Sequence, residues 1–530
     1  MPVFSKQFST KRYIVLFFSV FFFSDFSNAQ HKYYFNSKAL NEGNGTKQQP
    51  FQSLEKFEQL AFQAGDTILF HSGDTLEGNI VLNNINGTKE HPIVFTSYGN
   101  EKKKCVINGK DKEAFVINSS GYFTIADLVF IGVGRKTGNT TDGIKLVNCK
   151  NAEIKNVEVS GFQKSGLMLY NGEASEVNNV YAHENGFAGI LVEGDYQKRI
   201  SSNIHIINCR ADNNPGDPAN LNNHSGNGIL VGNCKNILIE YCTATNNGWD
   251  MPRIGNGPVG IWAYEADSII IQHCISYKNK TAKGAADGGG FDLDGGVTNS
   301  IIQYCLSYEN WGSGYGIFQY NSASNWSNNT VRYCISINDG KVTDKASSML
   351  IWNGWNGDST FTNFYAYNNF FYNDEKYTFG FLEQSQHKKF SFFNNVFIGA
   401  DTSDIFNGID SSTDDIFLGN IWMKVNGGFQ QNGFDDIQKW SETTGYEQQA
   451  GKLTGITFQR KLFSIPSHIE ITNPRTLANN SLLLSLCNPA LINKGIDLEK
   501  NFSIDVGKTD FFGKPIPSGN GFEQGICEMK

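Results

Sequence analysis

Proline, basic charge and long apolar runs are all scarce in this 530-residue chain. It has 12 prolines against 55 glycines, and its formal net charge is −8, spread along the sequence. Without a basic surface, a nucleic-acid partner is not expected. No stretch after residue 29 is long and apolar enough to cross a membrane. Frequent glycine and asparagine favour many tight turns between short strands.

The first 29 residues have the parts of a secretory signal. Three basic residues precede an apolar run over residues 13–23, and Ser27 and Ala29 belong to a small-residue cleavage site. This order is typical of an exported protein. We therefore predict a secreted protein, extracellular or periplasmic, with no membrane span in the mature chain. A retained N-terminal anchor is the alternative.

Residues 105–434 repeat one pattern, with spacings of 23 to 39 residues. Each repeat has a short strand that follows a glycine and alternates between apolar and other residues. These strands start at Ile144, Leu167, Ile190, Ile229, Ile261, Phe291 and Ile317. Coils of this size bury their apolar faces only by stacking on one another. The repeat predicts an all-β fold, a right-handed parallel β-helix or solenoid.

Two further columns recur once per coil. A second strand in each repeat ends at Cys209, Cys242, Cys274, Cys305 and Cys334, and the column Asn213, Asn246, Asn279, Asn310 and Asn338 follows. We predict that these cysteines pack inside the coils and that the asparagines form a structural ladder at turns. Only Cys487 and Cys527, outside the repeats, remain as candidates for a disulfide.

The ends of the chain depart from the repeat. Residues 30–104 are predicted to hold an N-terminal cap and the first coils, with Ser53 as N-cap of an amphipathic capping helix that runs to Ala64. Residues 435–530 are predicted to form C-terminal coils, an inserted loop or small helix, and a closing segment. One elongated, monomeric domain is the simplest interpretation.

One glycine-rich strand concentrates carboxylates. In the stretch from Asp287 to Gly296, Phe291 and Leu293 alternate with Asp292 and Asp294. Successive side chains of a strand point to opposite faces, so the two aspartates face outward together, with Cα atoms roughly 6.5–7 Å apart. We predict Asp292, Asp294 and Asp287 as catalytic residues.

Aromatic residues take the same outward positions on neighbouring coils. Stacked coils lie about 4.8 Å apart, so these side chains trace a groove that aromatic contacts with sugar rings would suit. Loops 211–228, 246–258 and 278–290 are expected to wall it. The predicted substrate-binding residues are Trp262, Tyr264, Glu193, Tyr170, Phe318, Tyr320, Trp352 and Glu383. His183, His224 and His273 are expected at turns or on the surface.

Paired carboxylates in such a groove predict a glycoside hydrolase. One carboxylic acid protonates the leaving oxygen, and another carboxylate activates water or attacks the sugar. We expect an endo-acting enzyme that requires no cofactor. The alternatives are a calcium-dependent lyase of a uronate glycan, with Asp287, Asp292 and Asp294 as ligands, and a non-catalytic glycan-binding protein.

The repeats, the capping segment and the sequence from Ala64 to Phe70 resemble the pectate-lyase-like superfamily of secreted β-helix proteins. That superfamily includes lyases, hydrolases, epimerases and adhesins, so the resemblance implies a carbohydrate-active protein and leaves the reaction open. Ala286-Asp287-Gly288 is similar to a stretch of one calcium-dependent pectate lyase family. The lysine base of that family would fall near Asp292 and Asp294, where this sequence has no lysine.

Overall fold

The computed structural model describes residues 30–529, apart from 101, 138–139, 355–356, 358–359, 383–385, 409–411 and 413. Nearly all of its strands lie in long parallel ladders that wind as a right-handed β-helix. The predicted fold class is therefore confirmed. The proposed signal over residues 1–29 lies outside the described part of the chain, so secretion stays a prediction.

Three parallel ladders form the faces of the helix. The first ladder, a separate 12-stranded sheet, consists of Ile80–Asn83, Phe115–Asn118, Ile144–Val147, Ser165–Tyr170, Ala188–Glu193, Asn227–Gly232, Val259–Tyr264, Gly289–Leu293, Tyr315–Gln319, Met349–Asn353, Phe379–Phe381 and Phe406–Asn407. It contains the acidic strand. The other two ladders join, through Lys150–Ser160 and Glu176–His183, into one 25-stranded sheet.

The second ladder consists of Lys32–Phe35, Thr67–His71, Ile93–Tyr98, Gly121–Ala126, Lys150–Ser160, Glu176–His183, Ser201–Ile207, Cys234–Glu240, Asp267–Gln272, Ile301–Gln303, Trp326–Arg332, Phe361–Tyr367, Lys388–Phe393 and Ile416–Leu418. The third consists of Thr75–Glu77, Cys105–Lys110, Leu128–Gly132, Arg210–Asp212, Thr243–Thr245, Ile275–Tyr277, Leu306–Tyr308, Ile335–Ile337, Phe370–Tyr372, Val396–Gly399 and Ile421–Lys424. Inward side chains of all three ladders fill one continuous apolar core.

The cysteine column lies inside that core, as predicted. All five repeat cysteines are buried and free. Successive members contact through the backbone: the N–H of Cys209 donates to Sγ of Cys242, and the N–H of Cys242 donates to Sγ of Cys274, both at 3.4 Å. Cys487 and Cys527 form the disulfide expected from their position outside the repeats.

The predicted asparagine column was wrong in part, because it combined two adjacent columns. Asn279 and Asn310 do belong to a buried ladder, in which the side-chain amide of one coil donates to the amide oxygen of the next at 2.9 Å. The other members of this ladder are Asn185, Asn214, Asn247 and Asp339. Asn213, Asn246 and Asn338 precede it at turn positions with φ between 53° and 58°. The ladder lies five residues after each of these cysteines, but three coils also have an asparagine at the fourth position, and the prediction took that residue instead.

The predicted capping helix is shorter than expected. Leu54–Gln59 forms a six-residue 3₁₀ helix, and the side chain of Ser53 makes no capping hydrogen bond. Leu54 and Phe57 are buried, and the Phe57 ring packs against Phe35 at a centroid distance of 4.8 Å. A capping role for this segment stays a prediction.

The C-terminal segment runs back along the outside of the β-helix. It contains the helices Ile437–Thr444, Ser481–Leu484 and Leu498–Phe502, the 3₁₀ helices Pro474–Asn479 and Pro489–Leu491, and the short strands Gln448–Gln449 and Lys452–Leu453. Tyr308 donates to the carbonyl of Ile471 at 3.2 Å, which docks this segment on the third ladder. Within the described ranges, no helix is long and apolar enough to span a membrane.

Candidate active site

The acidic strand Gly289–Leu293 lies between the strands Val259–Tyr264 and Tyr315–Gln319 of the first ladder. Phe291 and Leu293 are buried in the core, as the alternation predicts. Asp292 points to the opposite face and pairs in register with Trp262. Asp294, one residue beyond the strand, donates its N–H to the carbonyl of Ala263 and continues the pairing.

The register of the next coil differs by two residues from the sequence alignment. Phe291 pairs with Tyr315 rather than Ile317, so the outward residue beside Asp292 is Gly316. The alternation in this coil is compatible with both registers. The observed one buries Tyr315, because its hydroxyl donates to the carbonyls of Cys305 and Ile335 at 2.9 and 3.0 Å inside the core.

A cavity of about 760 Å³ opens over the acidic strand. Its floor is the first ladder, and its walls include residues of all three loops that were expected to form them, together with residues of other loops such as Tyr196 and Asp344. Eight predicted site residues line it: Asp287, Asp292, Asp294, Trp262, Tyr264, Phe318, Tyr320 and Trp352. The next coil brings Met349 and Ile351 inward and Trp352 outward, the orientation that the sequence favoured.

Asp292 is the most buried of the three carboxylates, with 3% of its surface exposed. Its Oδ1 makes no hydrogen bond to any described residue. Burial, followed by the negative charges of Asp294 and Asp287, raises the pKa of Asp292 well above its usual range. Both effects favour the protonated carboxyl group over the carboxylate.

Asp294 and Asp287 are half-buried. Burial raises the pKa of Asp294 to about 7, although its Oδ1 accepts the N–H of Gly295 at 2.7 Å. Burial raises the pKa of Asp287 to about 6, opposed by the N–H of Gly257, which donates to Oδ2 at 2.8 Å. The two carboxyl groups therefore ionise on either side of pH 6.5, in a range suited to acid–base work.

The described residues that line this cavity include no lysine or arginine. Calcium would need six to eight oxygen ligands, whereas one oxygen each of Asp287 and Asp294 accepts a backbone N–H. In the described ranges, no three histidine, cysteine, aspartate or glutamate side chains are placed to hold a metal ion together. The donor set present does not fit the calcium site suggested for Asp287, Asp292 and Asp294.

His224 was expected at a turn or on the surface, but it is buried in the cavity wall. The indole N–H of Trp262 donates to Oδ1 of Asn227 at 3.1 Å, so the amide nitrogen of Asn227 faces Nδ1 of His224 at 3.0 Å. Nδ1 must then accept, and Nε2 carries the ring proton. Burial lowers the pKa of His224 to about 4, which keeps the ring neutral.

Trp262 is less accessible than a sugar-stacking platform would be, with 4% of its surface exposed. It packs with Leu191, Leu230 and Val259 in an apolar cluster on the first ladder. The His224 ring contacts its face edge-on at 5.0 Å. Because His224, from a loop that sequence alternation could not place, packs against this ring, Trp262 shapes the wall more than it offers a surface.

Two predicted substrate-binding residues lie outside the cavity lining. Glu193 accepts hydrogen bonds from the hydroxyl of Tyr264 at 2.5 Å and from the amide of Asn233 at 2.6 Å, and so positions Tyr264. Tyr170 lies several coils from the acidic strand, and its hydroxyl donates to Asp195 at 2.8 Å. Glu383 lies outside the described residues.

Sequence reasoning missed several lining residues, notably Phe187, Tyr196, Asn256, Asp344, Leu350 and Leu382. Leu350 could have been found, because it pairs with Gly316 in the column of Asp292. The others lie mainly in loops of irregular length, where the strand alternation gives no information.

The family comparison agrees with this architecture. A family model described as "Pel9A-like, right handed beta helix region" matches residues 33–369. The fold and this match define a β-helix protein of the carbohydrate-active class. Because the match covers more than half of the sequence, the chain belongs to the Pel9A-like right-handed β-helix family. No curated protein matches it.

Several solved structures have a similar fold. They include pectate lyase Pel9A, with 17% identity over 94% of this chain and 97% of that chain and a TM-score of 0.43. The GH136 lacto-N-biosidase from Eubacterium ramulus has 18% identity over 64% of this chain and a TM-score of 0.41. The match spans 64% of that lacto-N-biosidase chain. Identities this low do not identify the reaction.

Proposed function

We propose that this protein is a glycoside hydrolase that cleaves a neutral glycan over the acidic strand. The observation that carries the proposal is the group of three carboxyl groups in one aromatic-lined cavity, two of them with pKa values near neutral pH. Hydrolysis of a glycosidic bond requires one carboxylic acid and one carboxylate on the two sides of that bond.

Asp294 acts as the general acid and Asp287 as the base or nucleophile. With a pKa of about 7, Asp294 still carries its proton at pH 6.5, whereas Asp287, with a pKa of about 6, is mostly ionised there. Such a pair of separated pKa values is the usual basis for acid and base roles in carboxylate enzymes.

Asp292 and His224 hold the sugar rather than react with it. Burial favours the neutral form of both side chains. Each has an atom without a hydrogen-bond partner among the described residues: Oδ1 of Asp292 and Nε2 of His224. Neutral donors of this kind bind sugar hydroxyl groups in a buried site at little electrostatic cost.

The charge of the cavity favours a neutral sugar at the cleavage point. A uronate there would bring a fourth carboxylate beside Asp287, Asp292 and Asp294 without a lysine or arginine among the described lining residues. An unpaired buried charge is strongly unfavourable. The outward column from Leu230 through Asp292 to Gly380 spans six coils, roughly 24 Å at about 4.8 Å per coil. We infer cleavage within a chain.

A panel of glycans, assayed in parallel for new reducing ends and for unsaturated products that absorb in the ultraviolet, tests this function. We expect reducing ends from a neutral polysaccharide, without ultraviolet absorbance. Asp294→Asn and Asp287→Asn should each lower kcat by about 10² to 10⁴. Glycan binding without any release would instead indicate a non-catalytic protein.

The pH dependence of the rate should be a narrow bell. Activity rises as Asp287 loses its proton near pH 6 and falls as Asp294 loses its proton near pH 7. The maximum therefore lies between these values. The measurement is kcat/KM from pH 4.5 to 9, and Asp287→Asn should remove the acidic limb. A rate that keeps rising above pH 8 would contradict the assigned acid.

A lyase is the second candidate, because the family model is named after Pel9A and a solved Pel9A structure is described as a pectate lyase. The lyase alternative predicts an unsaturated product from a uronate polymer and loss of activity on chelation of calcium. The described lining residues include no lysine or arginine to abstract a proton beside a uronate, and this favours hydrolysis.

A further inference from the structure

A second cavity, of about 560 Å³, lies on the same face of the β-helix. Its floor contains Lys145, Met168 and Leu191, which are in register with one another. The same column continues through Leu230 and Trp262 to Asp292. Lys145 is five coils from Asp292, roughly 24 Å at about 4.8 Å per coil.

The two cavities share a wall. Phe187 lines both, and its ring lies 5.7 Å from the ring of His224. The loop beside it also faces both sides: residues 219–222 line the second cavity, and Asn223 and His224 line the first. A polymer lying along the column that leads to Asp292 would pass from one cavity to the other beside Phe187.

The second cavity is lined by two lysines, and Lys145 is near enough to Asp142 for its charge to lower the pKa of that carboxyl group. Lys145 makes no hydrogen bond or ion pair with any described residue, although it lines the cavity. The other lysine, Lys164, is held at 2.5 Å by the buried carboxylate of Asp217. Asp142 accepts the N–H of Ser165 at 2.9 Å and keeps a second oxygen.

The chemistry of this cavity matches an uncharged sugar. Glu113 and Asp142 line the cavity with Lys145 and offset its charge, so no net positive field is left to favour an anion. Leu221 also lines the cavity with 63% of its surface exposed, which is a high fraction for a large apolar residue. Apolar surface with a few convergent donors and acceptors is typical of small-ligand and sugar sites.

We propose that this second cavity is a remote subsite for the same neutral glycan, with Lys145 donating to a sugar hydroxyl or ring oxygen five coils from the cleavage point. The inference rests on the proposed hydrolase for the identity of its ligand. It adds a chain-length preference: substrates long enough to reach Lys145 bind more tightly than those confined to the first cavity.

The test uses a series of neutral oligosaccharides of the polymer that the panel identifies, graded from the disaccharide to chains longer than roughly 24 Å. In the wild-type protein, kcat/KM should increase about tenfold once the chain spans both cavities. Lys145→Met should remove this increase through KM. Lys235→Met, which changes the same charge on the second ladder, should retain it.

Binding of the same series to Asp294→Asn, with and without Lys145→Met, separates this inference from the proposed reaction. A length-dependent affinity that Lys145→Met abolishes supports the subsite even if the wild-type protein hydrolyses nothing. Hydrolysis whose length dependence is the same in Lys145→Met overturns the subsite and leaves the hydrolase intact. Neither hydrolysis nor binding of any panel glycan overturns both.

Discussion

Asp292 differs from the surface carboxylate that its outward position suggests. Its Oδ1 has no partner among the described residues, and burial with two acidic neighbours raises its pKa. A neutral carboxylic acid and a carboxamide have nearly the same shape and both can donate a hydrogen bond. The role of this residue therefore depends on its hydrogen bonds rather than on its charge.

We predict that Asp292→Asn keeps kcat within about tenfold of the wild-type value, whereas Asp294→Asn and Asp287→Asn lose at least about a hundredfold. The reason is that only Asp294 and Asp287 change protonation during the reaction. The measurement is steady-state kinetics of the three variants on the glycan identified by the panel. If Asp292→Asn were as inactive as Asp294→Asn, Asp292 would have to take part in proton transfer.

The raised pKa of Asp294 also has a cost in stability. The folded chain holds this proton up to about pH 7, whereas the ordinary pKa of aspartate is 3.8. The unfolded state therefore releases the proton first, and stability falls as the pH rises from about 4 to about 7. A difference of about three pKa units corresponds to about 4 kcal/mol.

Asp294→Asn should therefore stabilise the protein by up to about 4 kcal/mol above pH 7 and by little at pH 4. Urea unfolding at pH 4 and pH 8 measures this difference. Glu77→Gln, at an exposed carboxylate paired with Lys110 on the third ladder, is the control and should change stability by at most about 1 kcal/mol. An equal effect of Asp294→Asn at both pH values would mean that its proton is not held by the fold.

At the residue scale, alternation along one strand was enough to predict that Phe291 and Leu293 face inward and Asp292 outward. It could not predict the burial of Trp262, because that depends on a loop from another coil. The burial of His224 was missed for the same reason: its loop packs against Trp262 of the next coil, and that contact cannot be read from the residues around His224.

At the scale of the strand, the space left by neighbouring atoms decides which side chains fit in the column of Asp292. A methyl group at Gly316 would lie 2.7 Å from the Phe318 ring and 3.0 Å from Oδ1 of Asp292. Gly380, two coils further in the same column, has more space: a methyl group there would lie 3.2 Å from the carbonyl oxygen of Asn407 and 3.6 Å from Leu350.

Gly316→Ala should lower kcat/KM by about tenfold or more, because the methyl group displaces Phe318 or Asp292 from the cavity floor. Gly380→Ala, the matched control, should change activity by less than about twofold. Both rates are measured on the same glycan, and thermal unfolding of each variant checks that the fold is retained. Equal activity of the two variants would show that contact with Gly316 does not position the site.

The strands and their stacking could be predicted because each coil must bury the same apolar face, so sequence and structure share one period. The register within a coil was less certain. Tyr315 lies inside because two carbonyl oxygens accept its hydroxyl, and composition alone does not reveal such a partner. Adjacent asparagine columns were merged because three coils have an asparagine at the turn position directly before the ladder.

At the scale of the whole molecule, the C-terminal segment packs on a different face from the candidate active site. Ile469, Ile471 and Leu483 are buried against the third ladder and its flanking residues. Arg332 donates to the carbonyl of Asp505 at 2.7 Å. The disulfide between Cys487 and Cys527 closes a loop within this segment, with a sequence separation of 40. The segment therefore contributes to stability and is remote from the proposed chemistry.

Replacing both cysteines by serine should destabilise the protein by about 4 kcal/mol, the chain entropy of a loop of this length, and leave kcat unchanged. Thermal unfolding with and without a reductant measures the effect. The reductant should lower the Tm of the wild-type protein and should not change the Tm of the double variant. The eight buried free cysteines should not react with a thiol reagent in the folded protein. A fall in kcat in the double variant would instead connect this segment to the cavity, which the separation of the first and third ladders argues against.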